Sequence, residues 1–161
     1  FAPLFGLLVD KVGKGTRWMI TGSVLVLVSH LMIAFAPQGV QAYGYVAIAM
    51  LGVGYSLVPA ALWPTIPKII PEKNLGTAYS LIYWIQNMGM LIVPIFVGLI
   101  FNKYITADEG DAIRIAQEQT AAVGAEYIFI GLGVVAVVVS LLFAASSKKN
   151  PQLELDMPNK K

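Results

Sequence analysis

The 161-residue chain has no cysteine. That excludes disulfides and any Cys–His pair, and it leaves the redox compartment open. Charge is scarce as well: Asp, Glu, Lys and Arg make up 12% of the residues, against about 25% in soluble domains. None of the four occurs between Trp18 and Pro67, where His30 is the single titratable side chain apart from tyrosine, and none occurs from Leu75 to Leu99. With one histidine and no acid expected inside the apolar stretches, neither a metal cluster nor a Ser–His–Asp set can be assembled. No glycine-rich loop follows a strand, so nucleotide phosphates have no cradle. The net charge of +2 comes without a basic patch interleaved with aromatics, which argues against nucleic acid. Catalysis and cofactors drop out of the expectation.

What remains is apolar. Hydrophobic residues make up 57% of the chain and the mean hydropathy is +0.72. A bilayer core of about 30 Å takes a helix of about 20 residues, so the uncharged stretch from Trp18 to Pro67 fits two crossings. Four spans are expected, over residues 18–36, 43–66, 75–100 and 127–145. Phe1–Val9 reads as the last turns of a truncated transmembrane helix, which makes the chain a C-terminal piece. Residues 10–17 form a basic loop, PQGVQ a tight turn, and 101–126 an acidic external loop with Asp108, Glu109, Asp111 and Glu118. Within that loop IRIAQEQTAA is expected to form a short surface helix. The polar tail, 146–161, is expected to be disordered. If the spans alternate, nine Lys/Arg lie on one side (Lys11, Lys14, Arg17, Lys68, Lys73, Lys148, Lys149, Lys160, Lys161) and two on the other (Lys103, Arg114). That asymmetry places the C-terminus in the cytosol.

The third span is not uniformly greasy. Tyr79, Tyr83, Gln86 and Asn87 recur at helical spacing and make one polar-aromatic stripe. Polar groups inside a bilayer turn toward other helices or water, so the stripe is expected to line a pathway. On the second span Gly52, Ser56, Pro59 and Trp63 share a face. Pro59, Pro64, Pro67 and Pro94 are expected to kink their helices. Gln86 and Asn87 can each donate and accept, as a peptide backbone or carboxylate requires. Interhelical bonding is the competing account, worth about 0.6–2 kcal/mol each. Trp63, Tyr79 and Tyr83 lie toward the cytosolic end, where they gate or stack on substrate, or else belong to the aromatic belt. The fourth span is expected to pack through Gly131 and Gly133. His30 is either a proton carrier or a neutral ring bonded to a neighbouring backbone; without a carboxylate in the spans the second is preferred. Glu72, just before the third span, either joins a charge network or stands solvated.

GLLVDKVGKGTR places Gly6, Asp10, Lys11, Gly13 and Lys14 in the form Gly-x-x-x-Asp-basic-x-Gly-basic. Gly6 would let a helix end approach a neighbour closely, and Asp10 would cap or pair with a helix N-terminus. A helix stop with ordinary loop charges is the plain alternative. With a second short basic loop two spans later, the pattern resembles the major facilitator superfamily. The departure is at Gly15 and Thr16, where the second basic residue moves to Arg17, as suits a degenerate copy between helices 8 and 9. Ser56 to Gly89 resembles the helix 10–loop–helix 11 segment of the lysosomal dipeptide uniporter family, through Leu62-Trp63-Pro64, Pro71-Glu72, Leu75-Gly76-Thr77-Ala78-Tyr79 and Ile85-Gln86-Asn87-Met88-Gly89. These pieces cover about a fifth of the chain.

The resemblance implies an all-α membrane protein, the C-terminal part of a 12-helix bundle (the end of helix 8 plus helices 9–12). Helices 10 and 11 would line the cavity, with 9 and 12 outside. It further implies alternating-access transport of dipeptides or similar solutes, passive or proton-linked, completed by a missing N-terminal half that recognises peptide charges. Carriage of other organic anions or sugars, a non-transporting membrane scaffold and a polytopic membrane enzyme are the alternatives. The partners implied are the lipid bilayer, a small-molecule substrate and protons. The host membrane is expected to be a bacterial inner membrane, or lysosomal if the source is eukaryotic.

Overall fold

Long runs of Leu, Ile, Val and Ala with few charges give helices, because in an apolar surround every backbone N–H and C=O must be satisfied within its own segment. The computed structural model describes residues 2–37, 40–106 and 112–158. Among them are α1 (Ala2–Val12), α2 (Gly15–Ala34), α3 (Gln41–Leu62), α4 (Ile66–Ile69), α5 (Leu75–Tyr104) and α6 (Ala112–Lys149), with 3-10 turns at Trp63–Thr65, Glu72–Asn74 and Pro151–Leu153. No strand occurs among the described residues. Among the described residues, four helical stretches are long and apolar enough to cross a membrane: Gly15–Ala34, Gln41–Ile69, Glu72–Tyr104 and Ile113–Lys149.

The prolines act unequally. Pro59 and Pro94 sit inside α3 and α5, which run on through them. Pro64 and Pro67 follow closely after Leu62, and there the α-ladder gives way to a 3-10 turn and the short α4. Two missing N–H donors within four residues are enough to change the winding.

α2 is the hub, packing on both α3 and α6. It crosses α3 at paired glycines. A Cβ on Gly22 would lie 2.8 Å from Val58 Cγ2 and 2.9 Å from the Gly54 carbonyl, and one on Gly54 would lie 2.8 Å from the Gly22 carbonyl. Small residues let helix backbones meet where lipid gives no hydrophobic drive. Against α6, Gly133 receives Leu27, and the buried Ser23 and Ser140 hydroxyls bond at 2.9 Å. Gly131, expected to share the packing with Gly133, faces open space within 4 Å. α5 packs against α6 and has no buried residue along its 30.

Further expectations differ from the structure. The surface helix, the end of the external loop and the fourth span are one helix: α6 runs 38 residues without a break. Ala, Gln, Glu and Arg before Tyr127 favour helix, and the lone Gly124 does not stop it. Gly6 meets nothing within 4 Å, so no close helix approach occurs there.

The tail is folded over its described residues, because it has a seat. Gly13 (φ 68°) and Lys14 (φ 58°) turn the chain from α1 into α2. The tail residues 154–157 lie against that turn. The Lys14 N–H donates to the Asp156 carbonyl at 2.8 Å, and Leu155 is buried. Lys68 Nζ donates to the carbonyls of Glu154 and Met157 at 3.1 and 3.0 Å. A Cβ on Gly13 would fall 2.5 Å from the Asp156 carbonyl oxygen, so glycine is required on both counts. The first N–H groups of α2 receive no cap from Lys14. The Thr16 N–H instead donates to the Asp156 carboxylate. Gln38 and Gly39 of the expected tight turn, Asp108, Glu109 and Asp111 of the acidic loop, and Lys160 and Lys161 lie outside the described residues.

Candidate functional site

The polar-aromatic stripe of α5 begins against Trp63. The Trp63 ring stacks with Tyr83 (centroids 5.2 Å apart, 29° between planes) and tilts against Tyr79 at 5.7 Å and 41°. Offset aromatic pairs of this kind contribute about 0.5–1.5 kcal/mol beyond their buried area. The fold thus brings three of the expected site residues together, across the break between α3 and α4. Tyr83 keeps 52% of its surface exposed, so one side of the cluster is open.

Further along α5 the same stripe enters a groove of about 950 Å³ between α3, α5 and α6. Its wall includes Tyr55 of α3, Gln86, Val93 and Phe101 of α5, and Phe129 and Leu132 of α6. The lining is chiefly apolar and aromatic with few polar groups, the composition of small-molecule sites. Gln86 supplies an amide there. Asn87 sits one residue on, about 100° round the helix. Its Nδ2 donates to the Tyr83 carbonyl at 2.8 Å, so its donor is used within α5. Ser56 Oγ likewise donates to the Gly52 carbonyl on its own helix at 2.8 Å. Of the loop-motif residues, Gly13 and Lys14 seat the tail, while Asp10 and Lys11 are solvent-exposed at the end of α1.

One constellation escaped the sequence reading. His30 Nδ1 lies 2.7 Å from Glu126 Oε2, and the imidazole stacks on Phe129 at 5.0 Å and 10° between planes. The expectations that the spans hold no carboxylate, and that His30 bonds a backbone group, are both overturned. In sequence Glu126 directly precedes the apolar run from Tyr127, which makes it look like a loop residue. The signal available was its isolation: it is the single charged residue between Gln119 and Ser147.

The family model described as Major Facilitator Superfamily matches residues 1–158. The lysosomal dipeptide transporter MFSD1 of Homo sapiens is 43% identical over 102 residues, covering 63% of this chain and 21% of that protein. Its Gallus gallus counterpart is 42% identical over 101 residues, covering 63% and 22%. The uncharacterized MFS-type transporter YwoD of Bacillus subtilis is 26% identical over 120 residues, covering 71% and 25%. The chain thus spans about a fifth to a quarter of the length of these relatives. No solved structure matches it.

Proposed function

Because the chain belongs to the major facilitator superfamily, we propose that its spans form one flank of an alternating-access carrier for dipeptides or similar small organic solutes. The protein is a multi-pass membrane protein, as its apolar helices and its transporter relatives agree. The observation that carries the substrate reading is the continuous face of α5. It runs from the Trp63–Tyr79–Tyr83 cluster to Gln86 in the groove, on a helix with no fully buried residue within this chain. Such a face requires a partner, and a second six-helix half rocking about the midplane supplies one. The aromatic cluster stacks on side chains and the Gln86 amide bonds a peptide group. The relatives named as dipeptide transporters support that solute class. Alternating spans put the α1–α2 turn, Lys68 and the tail on the cytosolic side, in keeping with their positive charge.

The test is uptake of a labelled dipeptide into proteoliposomes holding the full-length protein, with and without a proton gradient. Saturable uptake, weakened by Tyr83→Ala and competed by unlabelled dipeptides, supports the reading. Uptake competed only by sugars or by organic anions lacking a peptide bond overturns it.

A further inference from the structure

We propose that His30 and Glu126 form a proton-binding site at the flank of the groove, linked to it through Phe129. Apart from tyrosines, His30 is the one ionisable side chain from Trp18 to Pro67, α5 has none before Lys103, and Glu126 stands alone between Gln119 and Ser147. The fold brings these two isolated groups, 96 residues apart in sequence, to 2.7 Å. Their side chains are 13% and 16% exposed. Ionisable groups in apolar spans are costly and mark places of function.

The position suits a proton from water. His30 is four residues short of the end of α2 at Ala34, about 6 Å along the axis, at the end opposite the α1–α2 turn. Phe129 stacks on the imidazole and also lines the groove beside Gln86, so a change at the ring reaches the groove wall through one shared side chain. The surrounding elements offer few competing charges. α2 has no other ionisable group beyond Arg17. α6 adds Tyr127, which is largely exposed, and Glu118, which is bonded to Arg114. α3 holds only Tyr43, Tyr45 and Tyr55. At the end of α5, Lys103 lies over the Tyr104 ring.

With a proton on both ring nitrogens the pair is an imidazolium facing a carboxylate, neutral as a unit. With a single ring proton, Glu126 keeps an uncompensated charge beside apolar side chains. Coulomb attraction in a poorly screened place is larger in the first state, so proton loading draws α2 and α6 together. The consequence for transport rests on the carrier reading; the proton site itself does not.

The experiment uses the full-length transporter in nanodiscs and proteoliposomes, as wild type, His30→Gln, Glu126→Gln and the exchanged pair His30→Glu/Glu126→His. Thermal stability is followed from pH 5 to pH 8, with the infrared carboxylate band as a second readout. Neither needs a substrate. Wild type is expected to melt at a higher temperature at the acidic end than at the basic end. Both single variants should lose that pH response and the matching carboxylate signal, and the exchanged pair should regain them. Dipeptide uptake by wild type should then show a pH profile that either single substitution flattens. If stability titrates while no dipeptide is carried, the proton site stands and the substrate reading falls. If wild type and both single variants respond to pH alike, the proposal is overturned.

Discussion

The Asp156 carboxylate accepts hydrogen bonds from both the backbone N–H and the hydroxyl of Thr16, at 2.9 and 2.8 Å, across 140 residues of chain. The tail therefore caps the helix on which the bundle is built. Replacing a capping side chain by alanine costs about 0.5–2 kcal/mol. Asp156→Ala should lower the stability of the protein in detergent by about 1 kcal/mol, read from thermal or denaturant unfolding. Gln152→Ala, on the exposed part of the same tail, should change it by less than about 0.5 kcal/mol. Equal effects of the two substitutions would show that the tail contributes nothing through its cap.

The crossing of α2 and α3 gives a sharper contrast. Alanine is preferred over glycine in a helix interior by about 1 kcal/mol, so Gly52→Ala, which meets open space, should be neutral or stabilising. Gly22→Ala puts a methyl 2.9 Å from the Gly54 carbonyl oxygen, which is backbone and cannot swing aside. It should destabilise by about 1–3 kcal/mol despite the better helix propensity. Parallel melting curves of the two variants check the difference in sign.

Tyr83 separates stacking from hydrogen bonding. Tyr83→Phe keeps the ring against Trp63 and should change the uptake KM by less than about twofold. Tyr83→Ala removes the ring, and an aromatic contribution of about 1.5 kcal/mol corresponds to about a tenfold loss in kcat/KM. Should the phenylalanine variant fall as far as the alanine variant, the hydroxyl rather than the ring face is what the solute meets.

Gln86 and Asn87, neighbours in sequence, should part company. Asn87 uses its amide on its own helix, so Asn87→Ala should leave uptake within about twofold. Gln86 faces the groove, and Gln86→Ala should raise KM about fivefold to tenfold. Because these spans contain no native cysteine, single cysteines at 86 and 87 add a second measurement. Substrate should protect the thiol at 86 from a soluble reagent more than the one at 87.

What was legible in the sequence was what local composition dictates. Uncharged runs around Val24, Ala49, Leu91 and Val137 announce all-helical spans, and Trp63-Pro64 with Tyr79 and Gln86-Asn87 announces the resemblance to a transporter family. The illegible part is long-range. Nothing local to PQLELDM says that Asp156 will find Thr16, because that contact depends on the placing of both ends of the bundle. His30 and Glu126 were unreadable as a pair for the same reason. In addition, an acid one residue outside an apolar run looks like a loop residue until the helix is seen to continue through it. Gly22 and Gly54 are two glycines among 15, and only the crossing of their helices shows which ones cannot change.

α6 has a mechanical consequence. Thirty-eight residues of unbroken helix make a shaft of about 57 Å, nearly twice the thickness of a hydrocarbon core. Glu126 is fastened a little over a third of the way along, and the folded tail hangs from the C-terminal end. A tilt of about 5° pivoting at Glu126 would swing the C-terminal end by about 3 Å, from the roughly 35 Å of helix beyond it. Three ångströms is enough to part Asp156 from Thr16, so this rod can act as a lever that carries an event on one face of the membrane to the opposite face.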